Sequence, residues 1–227
     1  MKLVKQVLLK TFPVFTGYIV LGIGFGILMV KNGFGIGRVL AMSLFIYAGS
    51  MQYLGIDLLT GGAGILQTAI ATLMVNARHL FYGISMVDKY RDMGKAKPYL
   101  TFALTDETYS LVCSEKVPEG VKPARYFLLI SLINHFYWVL GSCLGAWLGN
   151  IITFDTTGID FSMTALFVTV FVQQWIEAKE HFPAITGLTA AVVCLFIFGR
   201  ENFLIPTMLV ILVALLLWRK CRTGEEK

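Results

Sequence analysis

Apolar residues dominate this chain in runs long enough to cross a bilayer. The runs are 12–30, 39–56, 64–86, 98–114, 126–149, 161–177, 183–198 and 203–218. A transmembrane helix needs about 20 mostly apolar residues. The pattern therefore predicts an all-α, polytopic membrane helix bundle of seven or eight spans, built as one transmembrane domain over residues 1–227. Connections between runs are short, and no polar segment is long enough for a second domain. Lysines precede the first run as in a signal peptide, but no small-residue cleavage site follows it. It is expected to be a retained span.

Two runs are marginal. Residues 64–86 contain Asn76, Arg78 and His79, and residues 183–198 are closed early by Arg200 and Glu201. Short or polar segments of this kind are expected to be broken or re-entrant helices that line a polar cavity. Arg78 in particular is expected where its run is interrupted.

Sliding the chain on itself by 122 residues lays 43–86 on 165–208 with nine identities in 44 positions, among them Gln52/Gln174 and Arg78/Arg200. One residue of slippage adds Gly22/Gly145 and Gly26/Gly149. This predicts two repeated three-span units, about 12–86 and 135–208, with run 98–114 between them. Such duplication is typical of transporters, in parallel or inverted form.

Composition narrows the function. Of 227 residues, 56% are hydrophobic and only 15% charged, against about 25% charged in a soluble domain. The net charge is +5, but the basic residues flank apolar runs, as topology signals do. They do not form the single basic face of a nucleic-acid binder. Eight full crossings with both termini in the cytoplasm leave only a weak excess of Lys/Arg inside, and the stretch 89–97 is the misfit. The cysteines, Cys113, Cys143, Cys194 and Cys221, have no C-x-x-C spacing. The histidines, His79, His135 and His181, are too far apart in sequence for a metal motif. No phosphate loop, nucleophile elbow or H-E-x-x-H occurs. A transporter without cofactor or metal is expected, not an enzyme. An ion or small-solute channel is the alternative.

Several polar residues inside apolar runs are candidates, because such residues are costly in a membrane and face a cavity or a partner. Ser43, Tyr47 and Ser50 would share one helical face, with Gln52 pointing elsewhere. Substrate contacts are expected from Asn76, Arg78, Ser50, Gln52 and Gln174. Arg78 would pair a carboxylate through its planar fork, helped by the Asn76 amide, and helix N-termini at broken segments are an alternative carboxylate site. Asp106 and Glu107, near the middle of run 98–114, are candidates for proton coupling or ammonium binding, and an ion pair with Arg78 is the structural alternative. His135 and Asn134 read as structural. Gly22 and Gly26, with Gly141, Gly145 and Gly149, have the four-residue spacing that lets helix backbones approach closely.

Taken together, Pro13, Gly22 to Gly26, Ala48-Gly49-Ser50-Met51-Gln52, Asn76-Ala77-Arg78-His79 with Tyr82-Gly83, and Leu104-Thr105-Asp106-Glu107 resemble the AzlC-like family. These are the large subunits of two-component branched-chain amino acid exporters. The resemblance implies a bacterial or archaeal cytoplasmic membrane, a small hydrophobic AzlD-like partner subunit, and export of valine, leucine, isoleucine, methionine or toxic analogues. Apart from the resemblance, protons are the expected driving ion.

Overall fold

The structure, a computed structural model, describes residues 2–225 apart from 152–157, 159, 160, 162, 163, 166, 167, 170, 173, 174, 177 and 179. The described residues contain helices and no strand. They divide into two compact units, Met1–Met163 and Thr164–Lys227.

The first unit is organised by two long helices, α1 (Lys2–Lys31) and α7 (Pro123–Ile151). Both are long and apolar enough to cross a membrane. They run parallel: Thr11 Oγ1 meets the Tyr137 hydroxyl at 3.3 Å, and further along Gly149 faces Ile27. Glycines make this contact possible. A Cβ on Gly22 would lie 2.9 Å from the Ser142 backbone nitrogen, and one on Gly141 would lie 2.9 Å from the Tyr18 carbonyl oxygen. A Cβ on Gly26 or Gly145 would fall onto the facing backbone outright. The glycine spacing in the sequence thus marks one shared interface. Lipid is as apolar as leucine, so backbone approach of this kind carries much of the helix association in a membrane.

Between α1 and α7 lie α2 (Ile36–Phe45), α3 (Gly49–Thr60), α4 (Ile65–Met86), α5 (Lys97–Phe102) and α6 (Asp106–Ser114). Here the structure corrects the sequence reading. Run 39–56 is not one span. It breaks at 46–48, where Tyr47 has φ 41°, and α3 folds back along α2. Gln52 Nε2 donates to Ser43 Oγ at 3.3 Å, and Gly55 packs against Met42. The supposed stripe of Ser43, Tyr47 and Ser50 needs a continuous helix and does not exist. A left-handed backbone at a bulky residue costs about 1–2 kcal/mol. The tip offsets this through packing, since Tyr47 is buried and stacks on His135 with ring centroids 4.0 Å apart.

Run 98–114 is likewise two helices. Thr105 ends the break by capping α6, its side chain accepting from the Thr108 backbone N–H at 3.3 Å, and Asp106 and Glu107 occupy the first turn. Acids there suit the positive end of the helix dipole. α6 then returns beside the start of α1 and α7, where Glu115 contacts Lys10 and the Tyr126 hydroxyl. Lys89 donates to the last carbonyls of α6, those of Val112, Cys113 and Glu115.

The two hairpins enter from opposite ends. α2–α3 starts and finishes near the C-terminal end of α1. α5–α6 starts and finishes near its N-terminal end, in the cluster that contains Val7, Met86, Leu100, Val112 and Tyr126. Their tips meet midway, with the Tyr47 and Phe102 rings 6.3 Å apart. Run 64–86, expected to be interrupted, is the unbroken helix α4. Its 22 residues cover about 33 Å, running antiparallel to α1.

In the second unit, α8 (Phe182–Asn202) and α9 (Leu204–Glu225) pack antiparallel, with Phe182 stacked on Trp218 at 5.1 Å. Residues 182–199 form a third helix of spanning length and hydropathy. A non-helical Gly199, φ 72°, interrupts α8 near its end. Three described helices meet the length and hydropathy of a span, fewer than the seven or eight runs in the sequence.

Candidate functional site

The hairpin geometry brings Ser50, Arg78 and Asp106 together from three distant parts of the chain. Ser50 stands in the first turn of α3, Asp106 in the first turn of α6, and Arg78 past the middle of α4. Arg78 Nη1 lies 2.8 Å from Asp106 Oδ2, and Nη2 donates to Ser50 Oγ at 2.8 Å. Both charged side chains are 29% exposed. The pairing is incomplete: Arg78 Nε and Asp106 Oδ1 are buried and have no hydrogen-bond partner. A planar guanidinium with a spare N–H beside a carboxylate with a spare oxygen can accept a molecule that carries both charges.

The N-terminus of α3 adds to this site. Its cap residue is Ala48, with no side-chain hydrogen bond. A helix start leaves its first backbone N–H groups without intrahelical partners. They lie at the level of Ser50 and Arg78. The start of α6, by contrast, is capped by Thr105 and neutralised by its own acids.

Glu107 faces a second polar cluster. Its Oε2 accepts from the Tyr18 hydroxyl at 2.7 Å, and that hydroxyl also meets Thr105 Oγ1 at 2.6 Å. Thr105 continues to Thr108 at 3.1 Å, and Asn134 Nδ2 donates to Thr108 at 3.0 Å. The two adjacent acids therefore have different surroundings. Asp106 has an arginine, and among the described residues Glu107 makes no ion pair.

Other expected site residues are placed elsewhere. Asn76 is not beside Arg78, because two residues along a helix turn about 200°. Its Oδ1 is buried and without a partner. Gln52 is fully buried, and both ends of its amide are engaged, by Ser43 and by the Trp138 indole at 2.8 Å. It holds the α2–α3 hairpin against α7. His135 does the same, with Nε2 donating to the Ser43 carbonyl at 3.0 Å and Nδ1 meeting the Tyr99 hydroxyl at 2.9 Å. Gln174 and the side chain of Arg200 lie outside the described residues. Tyr18 and Thr108 join the site without having stood out in the sequence, and Tyr82 stood out there only as part of the family resemblance. A tyrosine in an apolar run carries no signal until its neighbours are known. The Tyr82 ring stacks on Tyr109 at 4.4 Å, one turn beyond Arg78.

Comparison with known proteins agrees with this membrane architecture. Residues 13–152 match the family described as AzlC protein, a segment that contains both hairpins. The chain is 45% identical over 210 residues to the branched-chain amino acid transport protein AzlC of Bacillus subtilis, covering 92% of this chain and 83% of that protein. It is 40% identical to an uncharacterized membrane protein of Helicobacter pylori, over 97% and 96% of the two chains. Against an uncharacterized membrane protein of Haemophilus influenzae, identity is 40%, over 87% and 81%. No solved structure matches. By these similarities the chain is a membrane protein of the AzlC family.

Proposed function

We propose that this membrane transporter exports branched-chain or similar apolar amino acids from the cytoplasm, coupled to protons, as the large subunit of a two-component exporter. The observation that carries this reading is the half-open Arg78–Asp106 pair between two opposed hairpin tips. A zwitterion exchanges that one ion pair for two. Its carboxylate takes the guanidinium, the Ser50 hydroxyl and the free N–H groups of α3. Its ammonium takes Asp106. Asn76, turned away, has no part in the carboxylate contact. The name of the Bacillus relative supports the substrate class. The second, small hydrophobic subunit and the cytoplasmic membrane are implied by family resemblance. The parallel course of α1 and α7, with Gly145 facing Ile23 and Gly149 facing Ile27, supports a parallel rather than an inverted repeat.

Glu107 is the proton site in this reading. Its hydrogen-bond partner is the Tyr18 hydroxyl, whereas Asp106 is already paired with Arg78. Glu107→Gln should abolish uphill export and flatten its pH profile while leaving amino acid exchange across the membrane intact. Asp106→Asn should weaken exchange as well, by about tenfold or more, the effect of losing a hydrogen bond to a charged group. Valine exchange and uphill efflux in proteoliposomes separate the two. Unchanged pH-dependent efflux by Glu107→Gln contradicts the assignment.

A further inference from the structure

We infer that α2–α3 and α5–α6 are re-entrant hairpins that dip into the bilayer from opposite faces, and that Tyr47 at the tip of the first is the gate residue between them. Each hairpin has a short outward and a short return helix: 10 and 12 residues in the first, 6 and 9 in the second. At about 1.5 Å per residue none of these covers a hydrocarbon core of about 30 Å. Backbone that is not helical at membrane depth survives only where protein or a cavity covers it. The second tip meets that condition, since Ala103, Leu104 and Thr105 are buried, and at the first tip Tyr47 is buried while Ala48 is half-buried and Ile46 exposed.

This arrangement removes the charge misfit of a chain that crosses at every run. If the hairpins return to their own faces and α4 crosses between them, ten Lys/Arg of the first unit fall on one side, within Lys2–Lys10, Lys89–Lys97 and Lys116–Arg125. Of that unit's other Lys/Arg outside α4, Lys31 and Arg38 fall on the opposite side. The first side is then cytoplasmic by the positive-inside rule.

Tyr47 occupies a place where both hairpins and both long helices converge. Its ring stacks on His135 of α7, stands edge-on to Tyr18 of α1 at 6.5 Å, and meets Phe102 of α5 at 6.3 Å. It has the strained φ of 41°, and its hydroxyl is buried without a hydrogen-bond partner. Strained residues of this kind cluster at ligand clamps and switch regions. A substrate at Arg78 and Asp106 reaches the cytoplasmic end by displacement of α5–α6, and the opposite end by displacement of α2–α3. Tyr47 fills the gap at which the two routes would join.

Two measurements test this, and the first is independent of what is transported. In a background without the four cysteines, single cysteines are placed at Arg38, Thr60, Lys95 and Glu119, all exposed. They are labelled with a membrane-impermeant maleimide in intact cells and in inverted vesicles. Arg38→Cys and Thr60→Cys should label from outside, and Lys95→Cys and Glu119→Cys from the cytoplasmic side. If Arg38 and Thr60 label from opposite sides, or Lys95 and Glu119 do, the corresponding hairpin is a crossing helix and the inference fails. The second measurement is passive release of valine, and of taurine as a solute outside the proposed class, from proteoliposomes. Tyr47→Gly, which also relieves the positive φ, should raise release of both by about tenfold, and Tyr47→Phe should not; that ratio is about 1.4 kcal/mol of barrier. A Tyr47→Gly protein that labels as above and stays tight overturns the gate. The gate arm rests on the transport reading, but a taurine leak without any valine export would defeat that reading alone.

Discussion

Gly26→Val is expected to prevent recovery of folded protein from the membrane, whereas Gly17→Ala is expected to leave it unchanged. Gly26 sits against the backbone of Ser142, Gly145 and Ala146, and a Cβ there would overlap main-chain atoms that cannot rotate aside. Relief requires that α1 and α7 move apart along much of their interface. Overpacking of this kind costs about 1–3 kcal/mol where side chains can give way, and more where only backbone faces the new group. That is a large part of a net stability of about 5–15 kcal/mol. The loss extends beyond one contact, because both hairpins lean on this pair: Ser43 and Gln52 of the first meet His135 and Trp138 of α7, Tyr99 and Thr108 of the second meet His135 and Asn134, and Tyr53 donates to the Leu21 carbonyl of α1 at 2.6 Å. Gly17 lies on the same helix with nothing within 4 Å of an added Cβ. Its replacement by alanine removes a residue about 1 kcal/mol unfavourable in a helix. Yield of monodisperse protein and thermal melting in detergent compare the two.

Arg78→Lys is expected to lower valine export by at least about tenfold with normal folding. The guanidinium holds Asp106 with one nitrogen and Ser50 with another, and keeps Nε free. An ammonium is a point charge that cannot span those directions. Losing one hydrogen bond to a charged group is worth about 1.5–3 kcal/mol, or about 10-fold to 100-fold in affinity. Isobutylamine, which is valine without its carboxylate, should be handled alike by wild type and variant. Equal loss of valine and isobutylamine would mean that Arg78 only anchors α4. A swap, Arg78→Asp with Asp106→Arg, should restore the ion pair and the fold but not transport, since the cation then leaves α4. Arg200→Lys, at the position that aligns with Arg78 when the sequence is shifted by 122 residues, should have a much smaller effect.

The glycine interface was legible in the sequence because four-residue spacing marks one helix face. The pairing of Arg78 with Asp106 entered only as the structural alternative for the two acids, since an arginine at depth calls for a carboxylate but the sequence does not choose between Asp106 and Glu107. The breaks at 46–48 and 103–105 were harder to read for different reasons. Thr105-Asp106-Glu107 is a helix start, with a cap residue followed by acids, but an unbroken apolar run around it reads as one span. Nothing comparable marks Tyr47, where no proline occurs and Gly49 follows the bend. Its conformation is fixed by contacts with Tyr18, Phe102 and His135, which lie 29 to 88 positions away. Once the chain doubles back, Gln52 meets Ser43 rather than a cavity. Residue pairs such as Tyr18 with Glu107 depend on that folding back and have no sequence periodicity to announce them.

Efflux against a gradient tests the account most directly. Cells that lack their own exporters and express this chain with an AzlD-like small membrane protein, the proposed second subunit, are loaded with labelled valine. Release into medium of higher valine concentration is then followed with and without a protonophore. Uphill release is expected that stops when the protonophore collapses the gradient and that is absent with Arg78→Lys. Release no faster than in cells without the chain would contradict amino acid export, and uphill release untouched by the protonophore would contradict proton coupling through Glu107.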